Sequence, residues 1–155
     1  MEKVDIERLD SWMGPADVKR PVGKALGLAD AAMNYYELAP GESFAFGYHR
    51  HADQEEVFYI LDGEATFETE DGDVTVAAGD VIRFEPGEWQ QGWNRGDERV
   101  RALAIGAPEE SGETTILRDC EHCGERTEQR IEATEEGDEL VTLCEVCDAS
   151  TGRFD

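Results

Sequence analysis

His49-Arg50-His51-Ala52-Asp53-Gln54-Glu55-Glu56-Val57-Phe58-Tyr59-Ile60-Leu61-Asp62-Gly63 is the stretch on which the fold turns. Side chains two apart on a β-strand leave the same face, so the two imidazoles come within reach of one ion. Ala52-Asp53-Gln54 reads as a short turn into a second strand, Glu55–Leu61, rich in residues that favour extended backbone. Alternation puts Glu55 and Glu56 on opposite faces, with Phe58 and Ile60 on the side of Glu56 as apolar lining. Two imidazoles and one carboxylate on one side of a cation form the facial arrangement of non-haem iron centres, which leaves other positions open for chemistry.

The pattern repeats outward from this stretch. Short runs rich in Val, Ile, Phe, Tyr and Thr cover Met33–Leu38, Ser43–His51, Glu55–Leu61, Ala65–Glu70, Val74–Ala77, Val81–Glu85, Trp89–Trp93 and Arg99–Ile105. Pro40-Gly41, Asp62-Gly63, Asp71-Gly72, Gly79-Asp80, Pro86-Gly87 and Arg95-Gly96 separate them, and each supplies tight-turn backbone angles. No segment here sustains a helical period, so the sequence predicts an antiparallel sandwich, jelly roll or barrel over residues 33–107. Residues 1–32 read as an N-terminal arm packing on it, with turn chemistry at Gly14-Pro15, Pro21 and Gly23. Pro108-Glu109-Glu110-Ser111-Gly112-Glu113 buries little, so residues 108–117 are expected as an acidic linker.

Residues 118–155 hold all four cysteines, as Cys120-x2-Cys123 and Cys144-x2-Cys147 with twenty residues between the pairs. Two residues between thiolates let one knuckle present both sulfurs to a tetrahedral ion, and Gly124 eases the turn. Gln129, Ile131 and Ala133 facing Leu140–Leu143 across Glu135-Glu136-Gly137-Asp138 supply a hairpin. Four thiolates fill the shell, which points to structural Zn2+; iron or paired disulfides are the competing readings. His122 lies within the first knuckle and is expected to be exposed. Over about Arg118 to Ala149 the stretch resembles the zinc ribbon family.

The histidine stretch resembles the first motif of the cupin superfamily: His49-x-His51, four residues, Glu56, six residues, Gly63. Gly79, Gly87 and Asn94 resemble its second motif, with Asp80-Val81-Ile82 and the Pro86-Gly87 turn. The resemblance covers roughly Met33 to Ala107 and implies an all-β, double-stranded β-helix (jelly-roll) cupin barrel, commonly dimeric, with a divalent transition metal (Fe, Mn, Ni or Zn) inside. It implies His49, His51 and Glu56 as ligands, and the distance to Gly63 favours Glu56 over Glu55. Where the second motif usually has histidine this chain has Gln90, selected over Gln91 by its spacing from Gly87. Glu85 stands in place of a common proline, and Ser43 in place of the first-motif glycine. An amide oxygen is a weaker ligand than imidazole, so Gln90 is expected as a loose fourth ligand or as a partner of bound water.

With 14 Lys+Arg against 37 Asp+Glu the formal charge is -23, shared as -12 over residues 1–107 and -11 over 108–155. Only Lys3, Lys19 and Lys24 are lysines. A uniformly acidic, lysine-poor surface resembles that of a salt-loving microbe's protein, here that of a halophilic archaeon, and no basic stripe remains for nucleic acid. The longest apolar run, Val57–Leu61, is far short of the roughly 18 residues of a membrane span. The charged Met1–Arg8 lacks the features of a signal peptide, so a cytoplasmic location is expected. The expected function is that of a metal-dependent cupin enzyme, of dioxygenase or isomerase type, acting on a small organic molecule. The alternative is a small-ligand or metal-sensing module whose ribbon docks on a partner protein.

Overall fold

The computed structural model describes residues 1–155 as thirteen strands, one short helix and one 3-10 turn. One sheet holds β1 (Val18–Arg20), β2 (Ala32–Leu38), β9 (Val100–Ala107), β4 (Glu55–Asp62) and β7 (Val81–Phe84), in the order β1-β2-β9-β4-β7. The other holds β3 (Tyr48–His51), β5 (Glu64–Thr69), β6 (Gly72–Ala77), β8 (Gln90–Trp93), β10 (Thr114–Cys120), β11 (Glu125–Ala133), β12 (Leu140–Cys144) and β13 (Ser150–Phe154). Its order is β13-β12-β11-β10-β3-β8-β5-β6, and every pairing in both sheets is antiparallel. The short helix α1 (Val22–Leu26) ends at Gly27, whose positive φ of 73° stops it.

Strands β2 to β9 form the jelly roll. Alternation along β9 turns Val100, Ala102 and Ala104 inward and leaves Arg101 outside. Leu38, Ile60, Phe67 and Val100 are almost fully buried, and the small residues Ala102 and Ala104 leave room for rings. Phe58 sits 5.1 Å from Phe44 and 5.0 Å from Phe67, centroid to centroid. Such pairs add about 0.5–1.5 kcal/mol each beyond area burial. Gly63 at φ 75° closes the β4–β5 hairpin; a Cβ there would meet the Arg99 carbonyl at 2.6 Å.

Two expectations from the sequence change. Ser43–Gly47 is not strand, since only Tyr48–His51 extends. The Ser43 hydroxyl lies within hydrogen-bond reach of the Ala45 and Gly92 carbonyls and accepts from the Ala45 amide, a local turn that leaves only an isolated bridge from Ser43 to Trp93 in place of a strand. The stretch expected as linker is in strand from Thr114 onward. Thr114 stands opposite His51 and Ile116 opposite His49, so β10 extends the histidine strand's own sheet. Gly47 makes this approach feasible, because a Cβ there would lie 2.5 Å from the Leu117 carbonyl.

The C-terminal hairpin pairs Ile131 with Thr142 and Ala133 with Leu140 and fits a small ribbon. Its interior is polar. The Gln129 amide donates to the Thr127 hydroxyl at 2.9 Å, and the Thr151 hydroxyl donates to Gln129 Oε1 at 2.7 Å. So few apolar side chains supply little hydrophobic stabilisation. Arg118 joins ribbon to barrel, donating to the Phe46 and Thr151 carbonyls beneath the Phe154 ring.

Candidate metal centres

The structure brings one donor atom from each of His49, His51 and Glu56 within 4.8 Å of the others. Glu56 Oε2 is 3.8 Å from His49 Nε2 and 3.4 Å from His51 Nε2. Ligands about 2.1 Å from a shared ion stand about 3.0–3.4 Å apart, so a small contraction would seat one. Strands β3 and β4 place the three, and the β9 neighbour of Glu56 is Gly106. A Cβ on Gly106 would meet the Gln54 side chain at 2.6 Å. Gln54 in turn donates to the Pro108 carbonyl at 2.7 Å, which pins the turn joining His51 to Glu56.

Each imidazole is oriented by its other nitrogen. His49 Nδ1 lies 3.0 Å from the Gly47 carbonyl, which only accepts, so Nδ1 carries the proton and Nε2 offers its lone pair to the site. His51 Nδ1 lies 2.9 Å from the Thr114 hydroxyl, whose proton goes to Ser111 at 3.3 Å, which gives the same tautomer. Burial pushes the Glu56 carboxyl up, but hydrogen bonds and charge from His49 and His51 in their protonated form outweigh this and hold it down at about 2. When both imidazoles are neutral in the tautomer described, two nitrogen lone pairs and one carboxylate face one point.

Gln90, opposite His49 on β8, completes the ring. Its amide nitrogen donates to Glu56 Oε2 at 2.9 Å and to His49 Nε2 at 3.1 Å. Its carbonyl oxygen is buried with no partner. An N–H standing between two electron-pair donors and an orphaned oxygen beside them is the pattern expected where a cation belongs. Turning the amide about its last torsion would direct Oε1 to that cation. Glu55 lies outside, paired with Arg83 at 2.7 Å, as alternation requires. Gln91 faces away from the triad, donating to Ser43 Oγ at 3.1 Å.

The four cysteines also converge, with all four sulfurs within 4.8 Å of one another. Cys120 and Cys147 Sγ are 3.6 Å apart, and Cys123 and Cys144 Sγ 3.8 Å. Sulfurs at about 2.3 Å from one tetrahedral ion stand about 3.8 Å apart, whereas a disulfide needs about 2.05 Å. Hydrogen bonds from the Thr127 hydroxyl and the Val146 amide hold the Cys144 thiol down at about 6, while Cys123, bonded to the Cys147 thiol, is pushed up. Without a cation, the charge of one thiolate opposes the ionisation of the next. His122 is exposed, as expected.

One residue that sequence reasoning missed belongs to the barrel site. Thr114 reaches His51 from 63 residues away through β10, a pairing that no local pattern announces.

The barrel has the double-stranded β-helix fold seen in solved cupin structures. Residues 34–106 match the family model described as the cupin domain. The oxalate-binding protein of Thermotoga maritima is 38% identical over 69 residues, 44% of this chain. The chain spans about half, 55%, of that relative's length. Among solved structures, a predicted oxalate decarboxylase from Thermotoga maritima matches with TM-score 0.60 and 24% identity, over 69% of this chain and 99% of that one. A cupin-superfamily sugar phosphate isomerase from Silicibacter pomeroyi matches with TM-score 0.61 and 19% identity, over 97% and 92%. A polyketide cyclase from Streptomyces resistomycificus matches with TM-score 0.64 and 19% identity, over 78% and 88%. No helix is long and apolar enough to cross a membrane.

Proposed function

We propose that the chain is a member of the cupin superfamily whose barrel holds a divalent transition metal on His49, His51 and Glu56, with Gln90 as a weak fourth ligand. Its proposed action is on a small organic molecule, in a reaction of dioxygenase or isomerase type. The observation that carries this reading is the orphaned Gln90 carbonyl beside three converging donors. When bound, such an ion supplies Lewis acidity toward a substrate oxygen. The chain's own residues do the rest: Gly47 and Thr114 fix the tautomers of His49 and His51, Glu56 contributes the fixed negative charge, and Phe58 excludes water from the wall beside it.

A second reading, a non-catalytic ligand-binding or metal-sensing module whose ribbon docks on a protein, is favoured by the name of the Thermotoga relative, which describes binding. The ribbon is proposed to hold structural Zn2+ on Cys120, Cys123, Cys144 and Cys147. We also propose a homodimer through the outer face of the five-stranded sheet, where Tyr59 and Val81 are cross-strand partners with 39% and 62% of their surface exposed. The acidic surface supports a cytoplasmic, halophilic setting and disfavours nucleic acid.

Elemental analysis tests the metal reading. Protein purified without chelators should carry about two ions per chain, and His49→Ala should remove only one of them, leaving the cysteine-bound ion. A single ion, untouched by His49→Ala, would defeat it. Turnover in the presence of small oxygen-rich substrates, lost in His49→Ala, separates the enzyme from the binding module.

A further inference from the structure

Alternation along β8 turns Gln90 inward to the triad and Gln91 and Trp93 to the other face of the sheet. There they meet β10 and β11 across a cleft of about 160 Å³, whose walls include Gly47, Gln91, Trp93, Arg118, Asp119 and Arg126. The cleft lies at the seam between barrel and ribbon. Arg118 spans that seam, donating to the Phe46 carbonyl on one side and to the Thr151 carbonyl, at 3.1 Å, on the other. Gly47 lets the two sides meet, since a Cβ there would lie 2.9 Å from Arg118 Cγ.

Four buried side-chain polar atoms of the chain have no hydrogen-bond partner: Arg20 Nε, Gln90 Oε1, Trp93 Nε1 and Arg118 Nε. The Gln90 oxygen belongs to the barrel site, and the Trp93 and Arg118 nitrogens both belong to residues of this cleft. Each of the two is an N–H that only donates, so the missing partner is an acceptor. Its charge follows from Arg118. In a chain with 37 acidic residues, Arg83, Arg95, Arg99, Arg126 and Arg130 each hold a carboxylate, and Arg118 holds none. Asp119, with 86% of its side chain exposed, lies 3.6 Å from Arg126, whose other carboxylate is Glu68 at 3.2 Å. The unmatched charge at the cleft is therefore that of Arg118, whose pKa burial pushes down against the charge of Asp119. Water accepts hydrogen bonds but leaves a half-buried guanidinium uncompensated, whereas an anion meets both demands.

We infer that this cleft binds a small anion, of the size of chloride, formate or phosphate, on the Trp93 indole N–H and the Arg118 Nε–H. The other edges of the guanidinium are taken by the Phe46 and Thr151 carbonyls, and the Phe154 ring covers its face at 5.4 Å while packing on Phe46 at 5.2 Å. The Nε edge is what remains. Bound there, the anion neutralises the side chain that bonds both barrel and ribbon, so it strengthens the docking of one on the other. The site stands on the opposite face of β8 from the histidine triad and does not depend on the metal reading.

The test is titration of the 15N-labelled full chain with sodium chloride, formate and phosphate in turn, ionic strength being held constant with the bulkier gluconate. The readout is the set of indole and arginine Nε N–H resonances; the signals lost in Trp93→Phe and Arg118→Met assign the two donors. At least one anion should move the Trp93 and Arg118 signals together along one saturating curve, while those of Trp12 and Trp89 stay in place. The anion that saturates at the lowest concentration identifies the chemistry the cleft takes. Trp93→Phe keeps a ring, removes the N–H and leaves the Arg118 contacts intact, so it should bind about 10-fold more weakly, read at Arg118 Nε. That variant decides the matter even if Arg118→Met undocks the ribbon. No shift with any of the three anions means that water alone occupies the cleft and overturns the proposal. Unsaturating shifts of equal size in all three indoles, or unchanged affinity in Trp93→Phe, overturn it as well.

Discussion

Replacing Thr114 by Val removes the acceptor of the His51 Nδ1 proton while keeping a β-branched shape in β10. His51 Nδ1 lies 2.9 Å from the Thr114 hydroxyl, and the Thr114 proton is directed to Ser111 at 3.3 Å, so the chain Ser111–Thr114–His51 fixes both tautomer and ring angle. Partners of this kind, one bond removed from a metal, are worth about 10–100-fold in metal affinity. At about 1.4 kcal/mol per factor of ten this is about 1.4–2.8 kcal/mol. His51 keeps about one-sixth of its side-chain surface exposed, so water replaces part of the lost bond and the lower half of the range is expected. The assay is competition for the barrel ion against a chelator of known affinity, with zinc release by a thiol-specific reagent as the control for the ribbon. Thr114→Ser keeps the hydroxyl and should bind as wild type does. Unchanged affinity in Thr114→Val, or equal loss from both metal centres, would refute the role assigned to this hydroxyl.

Other perturbations have definite outcomes. Cys120→Ser should abolish the ribbon's ion and also weaken the barrel's by a few-fold, because β10 continues without a break from Cys120 to the partner of His51; chelator competition at both sites checks this. Glu37, held below the usual carboxylate range against burial by hydrogen bonds from Arg99 and Tyr35 and the charge of Arg101, stabilises the fold above the unfolded carboxyl pKa of about 4.3 and loses that contribution as pH falls. Glu37→Gln should therefore cost about 1–2 kcal/mol at pH 7 and little at pH 3, read from urea unfolding midpoints. Gly63→Ala should cost about 1–3 kcal/mol, read from the same curves, since the new Cβ meets the Arg99 carbonyl at a positive φ.

The parts of the site that sequence reveals are those set by short-range period. His49 and His51 share a face because they stand two positions apart, and Glu56 is distinguished from Glu55 by the same alternation. The thiol cluster follows from paired Cys-x2-Cys spacings. What stays hidden is set by pairing across the fold. Thr114 reads as linker because its neighbours are Gly112 and Glu113, yet it becomes strand by hydrogen bonding to β3, and only Gly47 lets that backbone approach. Ser43–Gly47 misleads in the other direction: Phe44 and Phe46 suggest a strand, but the Ser43 hydroxyl closes a turn.

The most direct measurement is anomalous X-ray diffraction from crystals of wild type and His49→Ala grown without chelator. The account predicts a density peak about 2.1 Å from His49 Nε2, His51 Nε2 and a Glu56 oxygen, with the Gln90 carbonyl turned toward it, and no such peak in the variant. A wild-type barrel in which the Gln90 amide nitrogen still bridges His49 and Glu56, with no anomalous scatterer between them, would contradict it.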